Sequence, residues 1–212
     1  MTSTGVAYCR GRRKRLLDGT LALVALVGLA PFLLAVALAA LLAHGSPVLF
    51  RHPRVGRDGR LFDLIKFRSM RPGAPGGLPI TGAGDRRVTG FGRWLRRTKI
   101  DELPQLLNVL AGTMSFVGPR PEVARYVERY TPAQRRILEV PPGLTDPASL
   151  AYRDEEAILG RVPEAEREAY YLRELVPKKL ALSLAYAESA GLRSDLRLIA
   201  RTGLAVLGVG RA

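Results

Sequence analysis

The sequence predicts a mainly α-helical protein with one small β-hairpin, attached to a membrane through an N-terminal helix. Residues 21–43 form a run of 23 residues without a charge, about 34 Å long as a straight helix. The dipeptide Asp58-Gly59, which favours hairpin turns, separates two short stretches that read as strands. Beyond Glu122, helix-start and helix-stop signals follow one another along the chain. These three observations predict the fold class.

Composition limits the kinds of partner that the protein can have. The chain has 212 residues and no internal repeat, so we expect a single domain over residues 1–212. A net charge of +14 indicates an anionic partner: phospholipid head groups, a nucleotide substrate or nucleic acid. Cys9 is the only cysteine, which excludes an internal disulfide and fits a reducing cytosol. His44 and His52 have no metal-ligand spacing with Cys9 or each other, so we expect no zinc site.

The charges that flank the apolar run bear on how it sits in the membrane. Both flanks are basic, with Arg10, Arg12, Arg13, Lys14 and Arg15 before the run and Arg51, Arg54, Arg57 and Arg60 after it. The positive-inside rule therefore places both flanks on the cytoplasmic side, which one straight crossing does not satisfy. Pro31, beside Gly28 near the middle of the run, is expected to bend the helix. A re-entrant helix over residues 14–43 fits these features, and a spanning anchor kinked at Pro31 is the alternative.

Two cations lie on the second strand of the predicted hairpin. Lys66 and Arg68 share a face by two-residue alternation, so both are candidates to bind an anionic ligand. The alternative is an edge strand protected by charge. Residues 71–85, rich in Gly and Pro, follow as a flexible loop. Residues 86–99 read as an interfacial helix in which Phe91, Trp94 and Leu95 enter lipid while arginines meet phosphates.

The stretch over residues 98–122 carries the candidate active site. Pro104 is tolerated only near a helix start, so a helix should begin one to three residues earlier, with Asp101 as its N-cap and Glu102 in the first turn. Gly112 is the expected C-cap. Two adjacent acids at the positive end of a helix suit a nucleophile or metal ligand beside a general base. Simple helix capping is the alternative interpretation.

The GPRP sequence that follows the acids adds a cation. Arg120 is held between Pro119 and Pro121, which restrict its backbone. A guanidinium binds phosphate or carboxylate through two parallel hydrogen bonds, so Arg120 is a candidate substrate ligand. A rigid, exposed loop without a ligand is the alternative.

Read together, four segments resemble a known family: KFRSM (66–70), LRRTKIDELPQLLNVL (95–110), SFVGPRPE (115–122) and PPGLT (141–145). They are similar to the bacterial sugar transferases, the monotopic polyprenyl-phosphate phosphoglycosyl transferases that start surface-glycan assembly. The resemblance runs with gaps from about residue 14 to residue 202. This chain has Ala30 where some relatives have Ser before the kink proline, and Asp146 where the family commonly has Gly.

The resemblance implies an activity: transfer of a sugar phosphate from a UDP-sugar to polyprenyl phosphate, which releases UMP. Asp101 would form a covalent phosphosugar intermediate and hold part of a Mg²⁺ site, and Glu102 would assist the acceptor. Arg96 and Arg120 would bind the diphosphate, with Lys66 and Arg68 near them. The resemblance also implies the re-entrant anchor, with residues 44–212 forming a cytosolic catalytic part with interfacial helices at the cytoplasmic face of the bacterial inner membrane. Anionic phospholipid is then an expected partner and nucleic acid is not.

Two other functions stay open at this point. A membrane-tethered basic adaptor, binding anionic lipid or nucleic acid, needs only the anchor and the charge. A retaining glycosyl transferase that uses the same acids would release UDP. The identity of the sugar, the glycan pathway and the oligomeric state, including a homo-oligomer, are not determined by these patterns.

The C-terminal half is predicted to be helical scaffold. Thr131 to Gln134 forms a capping box with Pro132 at the first helical position, and Pro141-Pro142-Gly143 ends that region. Further helices are expected to start near Asp154, Pro163, Pro177 and Ser194. Residues 195–210 mix leucines with arginines, which fits either a membrane-surface helix or a core-packed terminal helix.

Overall fold

The computed structural model describes residues 3–71, 80–82 and 84–206. Within these residues the chain is mainly helical, with an antiparallel hairpin β1–β2 and a short parallel pair β3–β4, so the predicted mainly α class with a hairpin is confirmed. Short 3₁₀ segments lie at Arg57–Gly59, Ile100–Gln105, Arg136–Glu139 and Glu164–Glu166, and a π-helical turn at Tyr171–Leu175. The helices and strands are α1 (Thr4–Cys9), α2 (Arg12–His44), β1 (Leu49–Val55), β2 (Leu61–Phe67), α3 (Gly90–Arg97), α4 (Leu106–Ala111), β3 (Ser115–Val117), α5 (Ala124–Val127), α6 (Pro132–Arg135), β4 (Gly143–Thr145), α7 (Pro147–Ala151), α8 (Glu155–Gly160), α9 (Arg167–Tyr170), α10 (Val176–Ser189) and α11 (Leu192–Val206).

The predicted apolar helix is α2, which has 33 residues and continues through Pro31. Much of its surface is uncovered by protein: Leu34 is 70 % exposed and Leu42 is 80 % exposed. In the part of the chain that the structure describes, α2 is the one helix long and apolar enough to cross a membrane. Exposed leucines over such a length are unfavourable in water, so membrane association is the plausible environment for α2.

The two arms of α2, before and after Pro31, belong to two hydrophobic clusters that each include a residue of the same hairpin. Ala22 is fully buried in a cluster with Leu64 of β2, whereas Val36 is buried in a cluster with Phe67 of the same strand. Leu64 and Phe67 are three residues apart, about 10 Å along a strand. Ala22 and Val36 would be about 21 Å apart along a straight helix. Packing therefore holds both arms of α2 close to one short strand.

A buried ionic group, which we call the Lys14 cluster (Lys14, Asp18 and Asp195), fixes the start of α2 to the rest of the fold. Lys14 Nζ lies 2.8 Å from a carboxylate oxygen of Asp18 and 2.8 Å from one of Asp195 in α11. Asp18 also accepts a hydrogen bond from Ser115 in β3 at 2.7 Å. Tyr186 donates to Asp195 at 2.7 Å and Tyr8 donates to it at 3.0 Å. The cluster joins α1, α2, β3, α10 and α11 at one point.

The β1–β2 hairpin has the turn that the sequence predicts. Leu49 pairs with Phe67 at the open end and Val55 with Leu61 next to the turn. Asp58 and Gly59 have φ values of 56° and 76°, in the region that Asp and Gly adopt most readily. The predicted turn at Asp58-Gly59 is confirmed.

The parallel pair β3–β4 was not predicted. Ser115 pairs with Gly143 and Val117 with Thr145. Three-residue strands show no alternation that a sequence pattern can detect. A Cβ on Gly143 would lie 2.1 Å from the backbone nitrogen of Gly118, so close approach of the two strands requires glycine there.

The interfacial helix predicted over residues 86–99 is shorter and partly internal. Helix α3 begins after its N-cap Thr89, whose hydroxyl accepts a hydrogen bond from Gly92 N at 2.9 Å. Leu95 is fully buried in a cluster with Val36 and Phe67, so the expectation that it enters lipid was wrong: it packs between α2 and the hairpin. Trp94 is 39 % exposed and stacks on Phe91. Residues 72–79 and 83 of the predicted loop lie outside the described residues.

The C-terminal half confirms most of the predicted helix starts. The capping box at Thr131 is present, and Asp154 directly precedes α8. Helix α11 starts at Leu192, two residues before Ser194, whose Oγ accepts a hydrogen bond from Gly191 N at the start of the helix. Asp146 is fully buried as the N-cap of α7, where it accepts from Ser149 N at 2.7 Å and from the Ser183 hydroxyl. Its carboxylate therefore starts a helix at the position where the family commonly has glycine.

One face of α11 packs against the rest of the protein and the opposite face is exposed. Asp195 and Leu198 are buried, whereas Leu192 and Leu196 are about half exposed. Of the two predictions for residues 195–210, core packing is thus confirmed for one face of the helix. Residues 207–210 lie outside the described part of the chain.

Candidate active site

The acidic pair lies in a 3₁₀ turn that leads into α4. Lys99 adopts a left-handed conformation with φ 58° and precedes the turn Ile100–Gln105. Glu102 N donates to Lys99 O at 3.2 Å, the i to i+3 bond of a 3₁₀ helix. The prediction of Asp101 as N-cap was therefore wrong, because Lys99 occupies the cap position, two residues earlier. The predicted C-cap is confirmed: Gly112 ends α4 with φ 85°.

Asp101 combines burial with an unsatisfied oxygen. The residue is 5 % exposed, and its Oδ1 has no hydrogen-bond partner among the described residues. Burial, followed by the negative charge of Glu102, raises the pKa of Asp101 to about 6, while Lys66 and Arg96 oppose the rise. At neutral pH the carboxylate is mostly ionised, and Oδ1 has lone pairs that no described residue uses.

Glu102 is in the opposite situation, since both of its oxygens are bound. Arg120 donates to them at 2.7 and 3.0 Å, a bidentate pair. Burial alone would raise the pKa of Glu102, but the charge and hydrogen bonds of Arg120 outweigh it and lower the pKa to about 2. Two adjacent carboxyl groups thus have pKa values shifted in opposite directions, an arrangement common where two acids have different chemical roles.

The GPRP loop that carries Arg120 is fixed by the parallel pair β3–β4. Pro119 and Pro121 are buried, and Pro119 O accepts a hydrogen bond from Gly143 N at 2.9 Å. The two prolines therefore restrict the backbone of the loop, and their predicted part in substrate binding stays a prediction. The structure brings Arg120 to Glu102.

Of the two candidate cations on the hairpin, Lys66 acts on the acidic pair. Burial lowers the pKa of Lys66 to about 8, and the charges of Asp101 and Glu102 partly oppose this. Arg68 lies just beyond β2, is 5 % exposed, and donates to His44 O at 2.5 Å and Gly45 O at 2.6 Å. It therefore caps the carbonyl end of α2, and its role as a substrate ligand stays a prediction.

Arg96 reaches the site from α3 and is joined to the C-terminal half. Its guanidinium donates to Glu156 in α8 through Nε at 2.9 Å and through a second, shorter bond. The Arg96 side chain is 16 % exposed and that of Glu156 is 47 % exposed. A diphosphate that binds Arg96 would have to replace Glu156. No local sequence pattern predicts this pair, since its members are 60 positions apart.

A second polar network beside the GPRP loop was also missed. Glu122 accepts from Arg54 at 2.9 Å and from the Tyr171 hydroxyl at 2.5 Å. Lys179 pairs with Glu155 and lies 3.4 Å from the Tyr171 hydroxyl. Glu122 was visible in the sequence as the last residue of the GPRPE stretch, but its partners come from β1 and from helices after residue 154. The network ties the loop of Arg120 to the C-terminal helices.

The arrangement fits one carboxylate ligand for a divalent cation. Carboxylate oxygen is the ligand type that Mg²⁺ prefers, and Asp101 Oδ1 is a buried acceptor without a partner. Among the described residues, no three His, Cys, Asp or Glu side chains form a group able to hold a metal. An ion at Asp101 would take its other ligands from substrate oxygens and water, as Mg²⁺ does in many phosphate sites.

Comparison with known proteins shows a similarity that covers most of the chain. A family model described as bacterial sugar transferase matches residues 9–209. The chain is 39 % identical over 200 residues to a UDP-glucose:undecaprenyl-phosphate glucose-1-phosphate transferase of Xanthomonas campestris, and 37 % identical over 194 residues to one of Caulobacter vibrioides. A transferase of the same name from Escherichia coli is 40 % identical over 172 residues.

These alignments cover the chain and its relatives unequally. They include 92 %, 90 % and 76 % of this chain, but 39 %, 68 % and 36 % of the Xanthomonas, Caulobacter and Escherichia proteins. The chain thus spans about two fifths or less of the length of two of these relatives. The matched region contains helix α2, the acidic pair and the GPRP loop, and with that extent of agreement the chain belongs to the bacterial sugar transferase family.

Proposed function

We propose that the protein transfers a sugar 1-phosphate from a UDP-sugar to polyprenyl phosphate and releases UMP. The observation that carries the proposal is the contrast within the acidic pair: Asp101 has a buried, unpartnered Oδ1, whereas both oxygens of Glu102 are held by Arg120. The names of the relatives support the two substrate classes. Simple helix capping is disfavoured, since neither acid makes a side-chain cap hydrogen bond to this turn.

In the first step, the Asp101 carboxylate attacks the β-phosphorus of the UDP-sugar. A bond forms between phosphorus and Asp101, and the bond to the bridging oxygen breaks so that UMP leaves with the electron pair. Lys66, Arg96 and Arg120 are the cations placed to stabilise charge on the phosphate oxygens. A bound Mg²⁺ would reduce the repulsion between a carboxylate and an anionic phosphate.

In the second step, an oxygen of polyprenyl phosphate attacks the same phosphorus and Asp101 leaves as a carboxylate. Glu102 is a weak base while Arg120 binds it, because its pKa lies far below neutral pH. Transfer of Arg120 from Glu102 to phosphate oxygens would remove that effect and raise the pKa of Glu102. Substrate binding itself would then prepare Glu102 to assist the acceptor.

The proposal includes a re-entrant anchor on the cytoplasmic face of the inner membrane. Both ends of α2 contact the same domain, Lys14 through Asp195 and the final carbonyls through Arg68. Both arms also pack near β2. The acceptor has its phosphate at the interface and its chain in lipid, so a site held beside such an anchor meets both substrates.

The chemistry is tested by incubation of the purified protein with a UDP-sugar and Mg²⁺ without acceptor. We expect one equivalent of UMP and a phosphosugar adduct that peptide mapping places on Asp101. Release of UDP would instead indicate a glycosyl transferase. Stable binding without release of UMP, left unchanged by Asp101→Ala, would indicate a binding protein.

The topology is tested by cysteine labelling in intact inner-membrane vesicles of known orientation, with Cys9 replaced by serine. Single cysteines that replace Arg13 and Ser46 lie on either side of the uncharged run, residues 21–43. We expect both to react with an impermeant maleimide from the cytoplasmic side. Reaction from opposite sides would show a spanning anchor and contradict the proposed placement.

A further inference from the structure

A groove of about 600 Å³ lies between the first arm of α2 and the end of α4. It is distant from the acidic pair: Asp101 and Leu110 are separated by about 15 Å along the 3₁₀ turn and α4. The mechanism proposed above does not use it. Its principal lining residues are Arg12, Arg15, Leu16, Gly19, Leu23 and Leu110.

The groove is cationic at one end and apolar along its length. Arg12 is at the first turn of α2 and Leu23 is 11 residues further, about 16 Å along the helix. Leu16 is 72 % exposed and Leu23 is 52 % exposed. Among the described residues, Arg12 forms no ion pair. A ligand that fits must have an anionic head and an apolar chain.

Arg15 has a fixed position at the cationic end of the groove. Its guanidinium donates to Val109 O at 2.8 Å and to Leu110 O at 2.6 Å, the last carbonyls of α4. A Cβ on Gly112 would lie 2.9 Å from Arg15 Nε, so the arginine packs closely over the C-cap of α4. Because these contacts position Arg15, its charge is held at the mouth of the groove at little further entropic cost.

We propose that this groove binds one anionic glycerophospholipid, with the phosphate at Arg12 and Arg15 and an acyl chain along Leu16, Leu23 and Leu110. The inference rests on the membrane placement in the proposed function, but not on the transfer reaction. Charge complementarity selects an anionic head group, and the distance from Asp101 separates this lipid from the reacting acceptor phosphate. The bound lipid would join the anchor to the helix that follows the acidic pair.

The test titrates protein in neutral detergent with phosphatidylglycerol and counts bound lipids by native mass spectrometry. Arg12→Glu changes the charge at the groove mouth by two. Because each unit of charge changes the affinity for an anionic lipid by about fivefold, we expect roughly 25-fold weaker binding. Arg13→Glu makes the same change on a different face of the same helical turn, and we expect less than a twofold effect. Equal weakening by both variants would show diffuse attraction and overturn the proposal.

A second variant and two ligands distinguish the remaining possibilities. Thr20 lies on the groove wall. Its replacement by Trp fills space in the groove without a change of charge, and we expect at least tenfold weaker binding of phosphatidylglycerol. No effect of Thr20→Trp, or equal binding of phosphatidylcholine, would overturn the site. Displacement of phosphatidylglycerol by polyprenyl phosphate would assign the groove to the acceptor instead. Asp101→Asn should bind phosphatidylglycerol like the wild type, so failure of the transferase proposal and failure of this one give different results.

Discussion

The Lys14 cluster and the acidic pair both bury carboxylates beside cations, but they differ in how completely those carboxylates are paired. All four oxygens of Asp18 and Asp195 have partners. At the acidic pair, Asp101 keeps an oxygen without one. A fully paired buried network fixes structure, whereas an unpaired buried carboxylate is unfavourable for folding and is a candidate for a reacting group when a second acid and several cations surround it. The difference separates the residues that hold the fold from the residue expected to do chemistry.

The strongest test of this distinction is Asp101→Asn. An amide cannot serve as the nucleophile, so we expect adduct formation to fall by about 10⁴-fold or more. Removal of a buried, unpaired charge should leave the Tm unchanged or higher. Rapid-quench measurement of UMP release and thermal unfolding in detergent check the two parts.

Asp18→Asn is the matched variant in the Lys14 cluster. It should lower the Tm while its folded fraction still forms the adduct. An Asp101→Asn protein that loses stability in the same way as Asp18→Asn would remove the distinction between the two sites.

Lys14→Met tests the structural side. The change leaves Asp195 and Asp18 buried without their shared cation, and loss of one partner from a buried ion pair lowers the free energy of unfolding by about 3–5 kcal/mol. Arg13→Met, an exposed position in the same turn, is the control and should lie within about 0.5 kcal/mol of wild type. Thermal or denaturant unfolding in one detergent gives both values, and equal values would show that the cluster contributes little.

Arg120→Lys tests how the second carboxylate is controlled. Lysine keeps the positive charge but loses the bidentate geometry, both toward Glu102 and toward phosphate. We expect adduct formation to slow by about 10- to 100-fold, with less change in UDP-sugar affinity. A variant with wild-type rates would show that a single point charge is enough at this position.

The pH dependence of adduct formation tests the pKa values of Asp101 and Lys66 and has the smallest expected effect. Without acceptor, the apparent second-order rate constant for adduct formation should fall about tenfold per pH unit below about pH 6, where Asp101 becomes protonated, and should fall again above about pH 8, where Lys66 loses its proton. Omission of the acceptor avoids its own phosphate ionisation near pH 6. Lys66→Arg should remove the alkaline limb and keep the acid one. An acid limb near pH 4 would mean that burial does not raise the pKa of Asp101.

Local features were predictable from the sequence because they depend on few neighbouring residues. The turn at Asp58-Gly59, the C-cap at Gly112 and the capping box at Thr131 each follow from conformational or hydrogen-bonding preferences within four residues. The acidic pair and Arg120 were found in the same way, through a short motif. The position of the cap at Lys99 was missed because a left-handed lysine has no sequence signal.

Long-range partners were not predictable. Tyr8 and Asp195 are 187 positions apart, and Arg96 and Glu156 are 60 apart. A charged residue in a helix looks the same in sequence whether it faces solvent or a buried partner. The burial of Leu95 shows the same limit, since its apolar side chain fits lipid and protein core equally well.

The Lys14 cluster has a consequence for biosynthesis. The ribosome makes the first turns of the anchor long before it makes Asp195, and at 5–20 residues per second the 187 positions from Tyr8 to Asp195 take roughly 10–40 s. During that interval the nascent anchor carries Lys14 and Asp18 without their final partner. The contacts that hold α2 in its final position are therefore completed late, only after α11 emerges.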